Sequence, residues 1–394
     1  MVTPTETIGS KITLAQLQAD PYPYYRALRQ HEPVSWVPAA GRFLVTRYQD
    51  VLQIERQPDI FSSVERDSCM VRAIGQTMLR LDGTQHKRIR SAIEPNLRQG
   101  TIRSRWATAY QQIVDDLIDK LYERGEMDLV HDFAGVCAAT CLGRLLGLHS
   151  STEADLRRWS QAIIDGCGNY ADDAGVWNRC RAASSEIEAA LDDVIPALRR
   201  NADDSIVSSL LHSPENFSKE EIKANVMVII GGGINEPRDA IATAVHALLK
   251  EPDQRLLVEN DSSRWMNVFE EAVRWIAPVG MYPRQITRPI NFAGTPLEEG
   301  ARIGVVIASA NRDETMFENP DVFDINRTKR THLAFGGGPH FCLGAWSSRV
   351  QVAECALPTL FRRLPKLAHP ECESVTWAGW VFRGPLNLPV CWQP

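Results

Sequence analysis

The chain has 394 residues, 44% hydrophobic and 23% charged, the balance of a globular protein with a substantial buried core. Its formal charge of −6 argues against a nucleic-acid partner, which demands clustered positive surface. Nine cysteines, an odd number at irregular spacing, fit reduced thiols and not a disulfide framework.

The opening stretch MVTPTETIGSKITLAQLQAD holds neither an apolar signal core nor an Arg-rich amphipathic pattern. The longest apolar candidate, VMVIIGGGI, stops at Asn235, well short of the roughly 18 residues that cross a bilayer. No membrane association is therefore expected, and the expected compartment is the cytoplasm. GRFLVTRYQDVLQIERQ reads as a short strand followed by a helix, with Asp50 as a candidate N-cap. From about Leu79 to Lys250 helical spacing dominates: ATAYQQIVDDLIDKLYERG stops at Gly125, and ASSEIEAALDDVIPALRRN stops before a polar loop. After Pro278 short strands joined by Pro and Gly turns are predicted in RQITRPINFAG, TPLEEGARIGVVIASANRD and WVFRGPLNLPV. The prediction is a mainly α protein with minor β-rich parts near both ends.

Four stretches carry chemistry or exclude it. Cys137 and Cys141, one helical turn apart in VCAATCLGRLLGL, read as small residues on a buried apolar face and not as metal ligands. With no CxxC pair and no HExxH, structural zinc is not expected. In VMVIIGGGINEPRDAIATAVHALL, Gly231, Gly232 and Gly233 each cost a helix roughly 1 kcal/mol against alanine. Pro237 then removes a backbone donor and is expected to kink the helix. A helix that opens a groove beside a flat ligand would carry that burden, whereas an ordinary core helix would not. In FEEAVRW, Glu271 and Arg274 share a helix face.

The fourth stretch is FGGGPHFCLGA. Gly336, Gly337 and Gly338 permit backbone conformations and close approaches that a side chain forbids. Cys342 falls just ahead of the helical pattern AWSSRVQVAECALPTLFRRL, where backbone N–H groups and the helix dipole favour a thiolate. A single thiolate cannot build a zinc or iron–sulfur site, but it can be the one protein ligand of a haem iron.

These motifs together resemble the cytochrome P-450 family. Phe335, Gly338, His340, Cys342 and Gly344 match its haem-binding signature, Phe-x-x-Gly-x-His/Arg-x-Cys-x-Gly. Glu271 and Arg274 match its Glu-x-x-Arg, completed by Arg327 in FDINR, a structural set in which two arginines share one carboxylate. The resemblance covers nearly the whole chain, from PYPYYRALRQHEPV to LPV. It implies one domain over residues 1–394, a triangular, mostly helical body around one haem b, and monooxygenase activity. By resemblance His86 and Arg90 in LDGTQHKRIRSAIEPNL, Arg284 in YPRQIT and His340 meet the haem propionates, and Gly232 approaches the haem.

The match departs from the family in one place. Where the family's distal helix usually carries an acid followed by threonine, this chain has Asn235 and Glu236. Glu236, its pKa raised in a poorly solvated cavity, is expected to deliver protons, with Asn235 holding water. The competing reading turns Glu236 outward to pair with Arg238. A carboxylate there also admits a peroxide-driven peroxygenase, and a haem protein that only binds a gas is a further alternative. Similar Asn/Gln-Glu-Pro variants resemble members acting on small aromatic ethers or thiocarbamates, which implies hydroxylation or O-demethylation of a small aromatic substrate. The resemblance places Met70, Val71 and Ile74 in DSCMVRAIGQTM, Val228, Val279, Met281 and Phe382 around that substrate. Electrons are expected from a separate ferredoxin or flavin reductase, docked by cations such as Lys87, Arg88, Arg98 and Arg349.

Overall fold

In the computed structural model, residues 7–370 and 374–394 are described. The backbone folds as two compact units. One combines Met1–Arg66, Glu270–Cys342 and Trp377–Gly384; the other combines Asp67–Phe269, Leu343–Thr376 and Pro385–Pro394.

The first unit is organised by a five-stranded sheet in the order Val34–Val37, Arg42–Val45, Arg302–Val305, Tyr282–Ile286, Phe61–Ser62. All neighbours are antiparallel except Arg42–Val45 beside Arg302–Val305. Val45, Ile54, Phe61, Ile286, Ile303 and Val305 form one apolar core, with the Phe61 and Phe292 rings edge to face at 5.0 Å. Tyr48–Arg56 is helical, as its apolar spacing predicts, but Asp50 is not its N-cap. Arg47 holds that position with no capping side chain, and the Asp313 carboxylate accepts the Tyr48 N–H at 2.8 Å. A distant carboxylate has taken the work of a local cap.

The second unit is helical, with a small antiparallel pair, Glu126–Asp128 against Pro389–Cys391. Ala107–Leu121 ends through a 3₁₀ turn at Gly125, whose φ is +69°, and Ala174–Arg200 ends at Asn201. Its central element is Lys219–Lys250, started by a reciprocal capping box between Ser218 and Glu221. The helix runs unbroken across the glycines and across Pro237. Two of the glycines explain themselves by packing. A Cβ on Gly231 would lie 2.9 Å from Ile163 Cγ2, and one on Gly233 would lie 2.8 Å from Leu142 Cδ1. They let the helices Glu153–Cys167 and Gly135–Leu146 approach closely. Gly232 has no such neighbour and is exposed. The expected break in the helix is therefore one open position on a continuous element.

Cys137 and Cys141 are fully buried, and burial pushes the Cys141 thiol well up. Among the described residues one stretch, Leu129–Leu146, is long and apolar enough to cross a membrane, and most of it is buried inside the fold.

Candidate active site

Two of the three glycines ahead of Cys342 are forced by geometry. Gly336 and Gly338 have φ of +67° and +56°, the left-handed region that side chains avoid. A Cβ on Gly338 would stand only 2.1 Å from the Glu55 carbonyl oxygen. The loop closes on itself where the Cys342 N–H donates to the Phe335 carbonyl at 2.8 Å. This turn leaves the Cys342 thiol exposed, and the helix Ala345–Arg349, with Gly344 as N-cap, begins three residues later. Among the described residues no group of three or more His, Cys, Asp or Glu side chains could hold a metal ion. One accessible thiol suits an iron whose other ligands a porphyrin supplies.

Glu271 is almost fully buried and accepts both Arg274 Nε and Nη2 at 2.7 Å. Arg327 Nε adds a third charged bond at 3.1 Å and the Asp324 N–H a fourth at 2.9 Å. Arg274 also donates to the carbonyls of Asn311 and Pro320, and Arg327 to that of Val322. Every charge in this cluster has a partner, which makes its burial tolerable.

Of the four groups tied by resemblance to propionates, Arg284 and His340 lie in the first unit. Buried Arg284 donates to Glu55 Oε1 at 3.1 Å, and its guanidinium lies 4.9 Å from the Tyr282 ring centroid. His340 Nε2 lies 3.0 Å from Ser63 Oγ. The Tyr282 hydroxyl is buried beside the Glu55 carboxylate, and burial first, then that carboxylate, pushes its pKa well up. A buried hydroxyl and a guanidinium side by side are both donors suited to an anionic group. His86 and Arg90 lie on the helix Gly83–Leu97 of the second unit; His86 is buried, and Arg90 reaches Glu94 at 3.5 Å.

On the long helix, Val228, Gly232 and Glu236 recur every fourth residue and so share one face. Glu236 does not pair with Arg238, which is committed to Asp239 at 2.7 Å. Instead its carboxyl lies back over Gly232, with Oε2 buried and without a hydrogen-bond partner. Burial, reinforced by the Asp239 carboxylate, raises its pKa to about 8. Asn235 is buried beside it, and its Nδ2 also lacks a partner.

The short helix Cys69–Ile74 bears Met70, Val71 and Ile74. It rests on other helices through Ala73, whose carbonyl accepts from Cys180 Sγ at 3.5 Å, and through Gly75 near Ala224. In the first unit Val279 bridges Phe382, and both are partly exposed. Met281 is different. It is 1% exposed and packs against Gly304 of the adjacent strand, as a core side chain does. Arg88 is likewise no free docking cation: it pairs with Glu221 and Glu215 and lies over the Phe217 ring.

Glu55, Ser63 and Tyr282 escaped the sequence reading. Glu55 had a signal: it stands four residues after buried Val51 and one after buried Ile54, a carboxylate on the apolar face of a short helix.

Residues 265–364, the segment holding Glu271, Arg274 and Cys342, match the Cytochrome P-450 family model. The chain is 30% identical over 377 residues to the steroid C26-monooxygenase of Mycolicibacterium smegmatis, covering 94% of this chain and 92% of that protein. It is 29% identical over 388 residues to the mycinamicin IV hydroxylase/epoxidase of Micromonospora griseorubida, covering 93% and 94%. The fold matches the crystal structure of CalO2 with a TM-score of 0.86 at 26% identity, over 97% of this chain and 99% of that one. It also matches the cytochrome CYP109B1 of Bacillus subtilis with a TM-score of 0.83 at 28% identity, over 95% of this chain and all of that one. On its fold, its sequence and its single-thiol loop, the chain belongs to the cytochrome P-450 family of haem-dependent monooxygenases.

Proposed function

We propose that the whole chain works as one catalytic domain that inserts one oxygen atom into a small, uncharged aromatic molecule, by hydroxylation or oxidative O-demethylation. Haem b is the cofactor in this reading, held by the Cys342 thiolate, with His86, Arg90, Arg284 and His340 toward its propionates. The group, when bound, supplies oxygen activation, and a thiolate ligand favours heterolytic oxygen–oxygen cleavage. What remains for the protein is positioning, exclusion of water and proton supply.

The observation that carries the reading is Glu236, a buried carboxyl with an unpartnered oxygen and a pKa near 8, on the helix face left open by Gly232. Near neutral pH it holds a proton at a carboxyl oxygen that no protein group occupies, so it can release one where oxygen is reduced. The Asn235 amide, also unpartnered, is suited to hold the water through which the proton is replaced. Met70, Val71, Ile74, Val228, Val279 and Phe382 are apolar, which favours an uncharged substrate over a sugar or phosphate. Electrons come in this account from a separate ferredoxin or flavin reductase.

Replacing Glu236 by glutamine tests it. Product formed per NAD(P)H consumed should fall several-fold while haem content stays the same; an unchanged ratio would overturn the proton role. The same carboxyl favours a second reading: its ionised form, the minority near neutral pH and the majority above about pH 8, can accept a proton from hydrogen peroxide. Product formed with peroxide and no reductase, and lost in Glu236→Gln, would mark the protein as a peroxygenase.

A further inference from the structure

Glu55 meets the cysteine loop through both its side chain and its backbone carbonyl. Its side chain is fully enclosed, with Oε1 accepting from Arg284 Nη2 at 3.1 Å and Oε2 accepting the Gly337 N–H at 3.0 Å. Its own carbonyl fills the space that a side chain on Gly338 would need. Seven residues earlier on the same helix, the Tyr48 hydroxyl donates to the Thr331 carbonyl at 2.7 Å. The helix Tyr48–Arg56 thus ties down both ends of the segment that leads to Cys342, and a single carboxylate spans from that segment to Arg284.

We propose that Glu55 is a positioning residue with two separable effects: it sets the height of the cysteine loop through Gly337, and it moderates the positive charge that Arg284 offers to the cofactor. The inference rests on the haem reading above. The first effect needs only an acceptor of the right length at residue 55, so glutamine can sustain it. The second needs the negative charge, because a guanidinium already paired with a carboxylate attracts a second carboxylate less strongly than a bare one does. With Glu55 in place, the buried cluster of Glu55, Arg284 and one propionate carries a net negative charge. Such a charge opposes adding an electron to the iron and weakens retention of the cofactor.

Titration of haem into the haem-free protein, with potentiometry and carbon monoxide spectra of the loaded forms, separates the two effects. Glu55→Gln should keep the thiolate-type spectrum, bind haem several-fold more tightly than the parent and show a more positive iron reduction potential. Glu55→Ala should bind haem several-fold more weakly and lose part of the thiolate-type spectrum, with the loss restored by glutamine at the same position. If Glu55→Gln matches the parent in both affinity and potential, the charge effect is refuted; if Glu55→Ala keeps the full thiolate-type spectrum, the loop effect is refuted. A parent protein that binds no haem would instead bring down the haem reading itself.

Discussion

Glu236 lies folded back along its helix over Gly232, so that a Cβ on that glycine would meet the carboxylate oxygen Oε1 at 3.6 Å, ordinary contact distance. Gly231 and Gly233 are hemmed in by Ile163 and Leu142 at under 3 Å, whereas Gly232 faces open space. Three adjacent glycines therefore do two different jobs.

That division predicts opposite signs for one substitution. Gly232→Ala should stabilise the protein by up to about 1 kcal/mol through helix propensity, while narrowing the open face and slowing turnover. Gly233→Ala drives a methyl into Leu142, and overpacking of ~1–3 kcal/mol outweighs the propensity gain. Thermal unfolding of the pair gives the comparison; equal shifts would contradict the packing account.

The raised pKa of Glu236 makes a stability prediction. The folded carboxyl keeps its proton up to about pH 8, while the unfolded one releases it near 4.5. Between those values the unfolded chain binds fewer protons, so the parent loses stability as pH rises through the window. Glu236→Gln removes that loss. Its stability relative to the parent should grow from pH 5 to pH 8, with a slope of at most roughly 1.4 kcal/mol per pH unit, and then level off. Urea unfolding at several pH values measures the difference.

Removal of Glu271 leaves Arg274 and Arg327 buried around a missing carboxylate. Glu271→Ala should cost about 3–5 kcal/mol and sharply lower the yield of folded, haem-loaded protein. Chemical unfolding of whatever folds reports the loss.

Gly338→Ala combines a left-handed backbone, unfavourable by about 1–2 kcal/mol, with an overlap on the Glu55 carbonyl. The loop must shift, and Cys342 with it. The expected result is near-parental helix content by circular dichroism with a diminished thiolate-type carbon monoxide spectrum.

Much of the candidate site was proposed from the chain alone because its signals are local. The Phe335-to-Gly344 spacing, the Glu271–Arg274 pair and the Asn235–Glu236 departure are each confined to one short segment. What escaped depends on residues far apart in sequence. Glu55 binds Gly337 across 282 positions and Arg284 across 229, contacts that no local pattern encodes. The different fates of the three glycines depend on Leu142 and Ile163, and Met281 is core because Gly304 of the neighbouring strand leaves room for its sulfur. Asp50 failed as a cap for the same reason: Asp313 reaches the helix end first.

The central claim is that the Cys342 thiolate binds the haem iron. The reduced protein should therefore give, with carbon monoxide, the strongly red-shifted Soret band of a thiolate-ligated haem, and Cys342→Ser should abolish it while leaving the fold intact. A parental spectrum without that band, or a Cys342→Ser protein that retains it, would contradict the account.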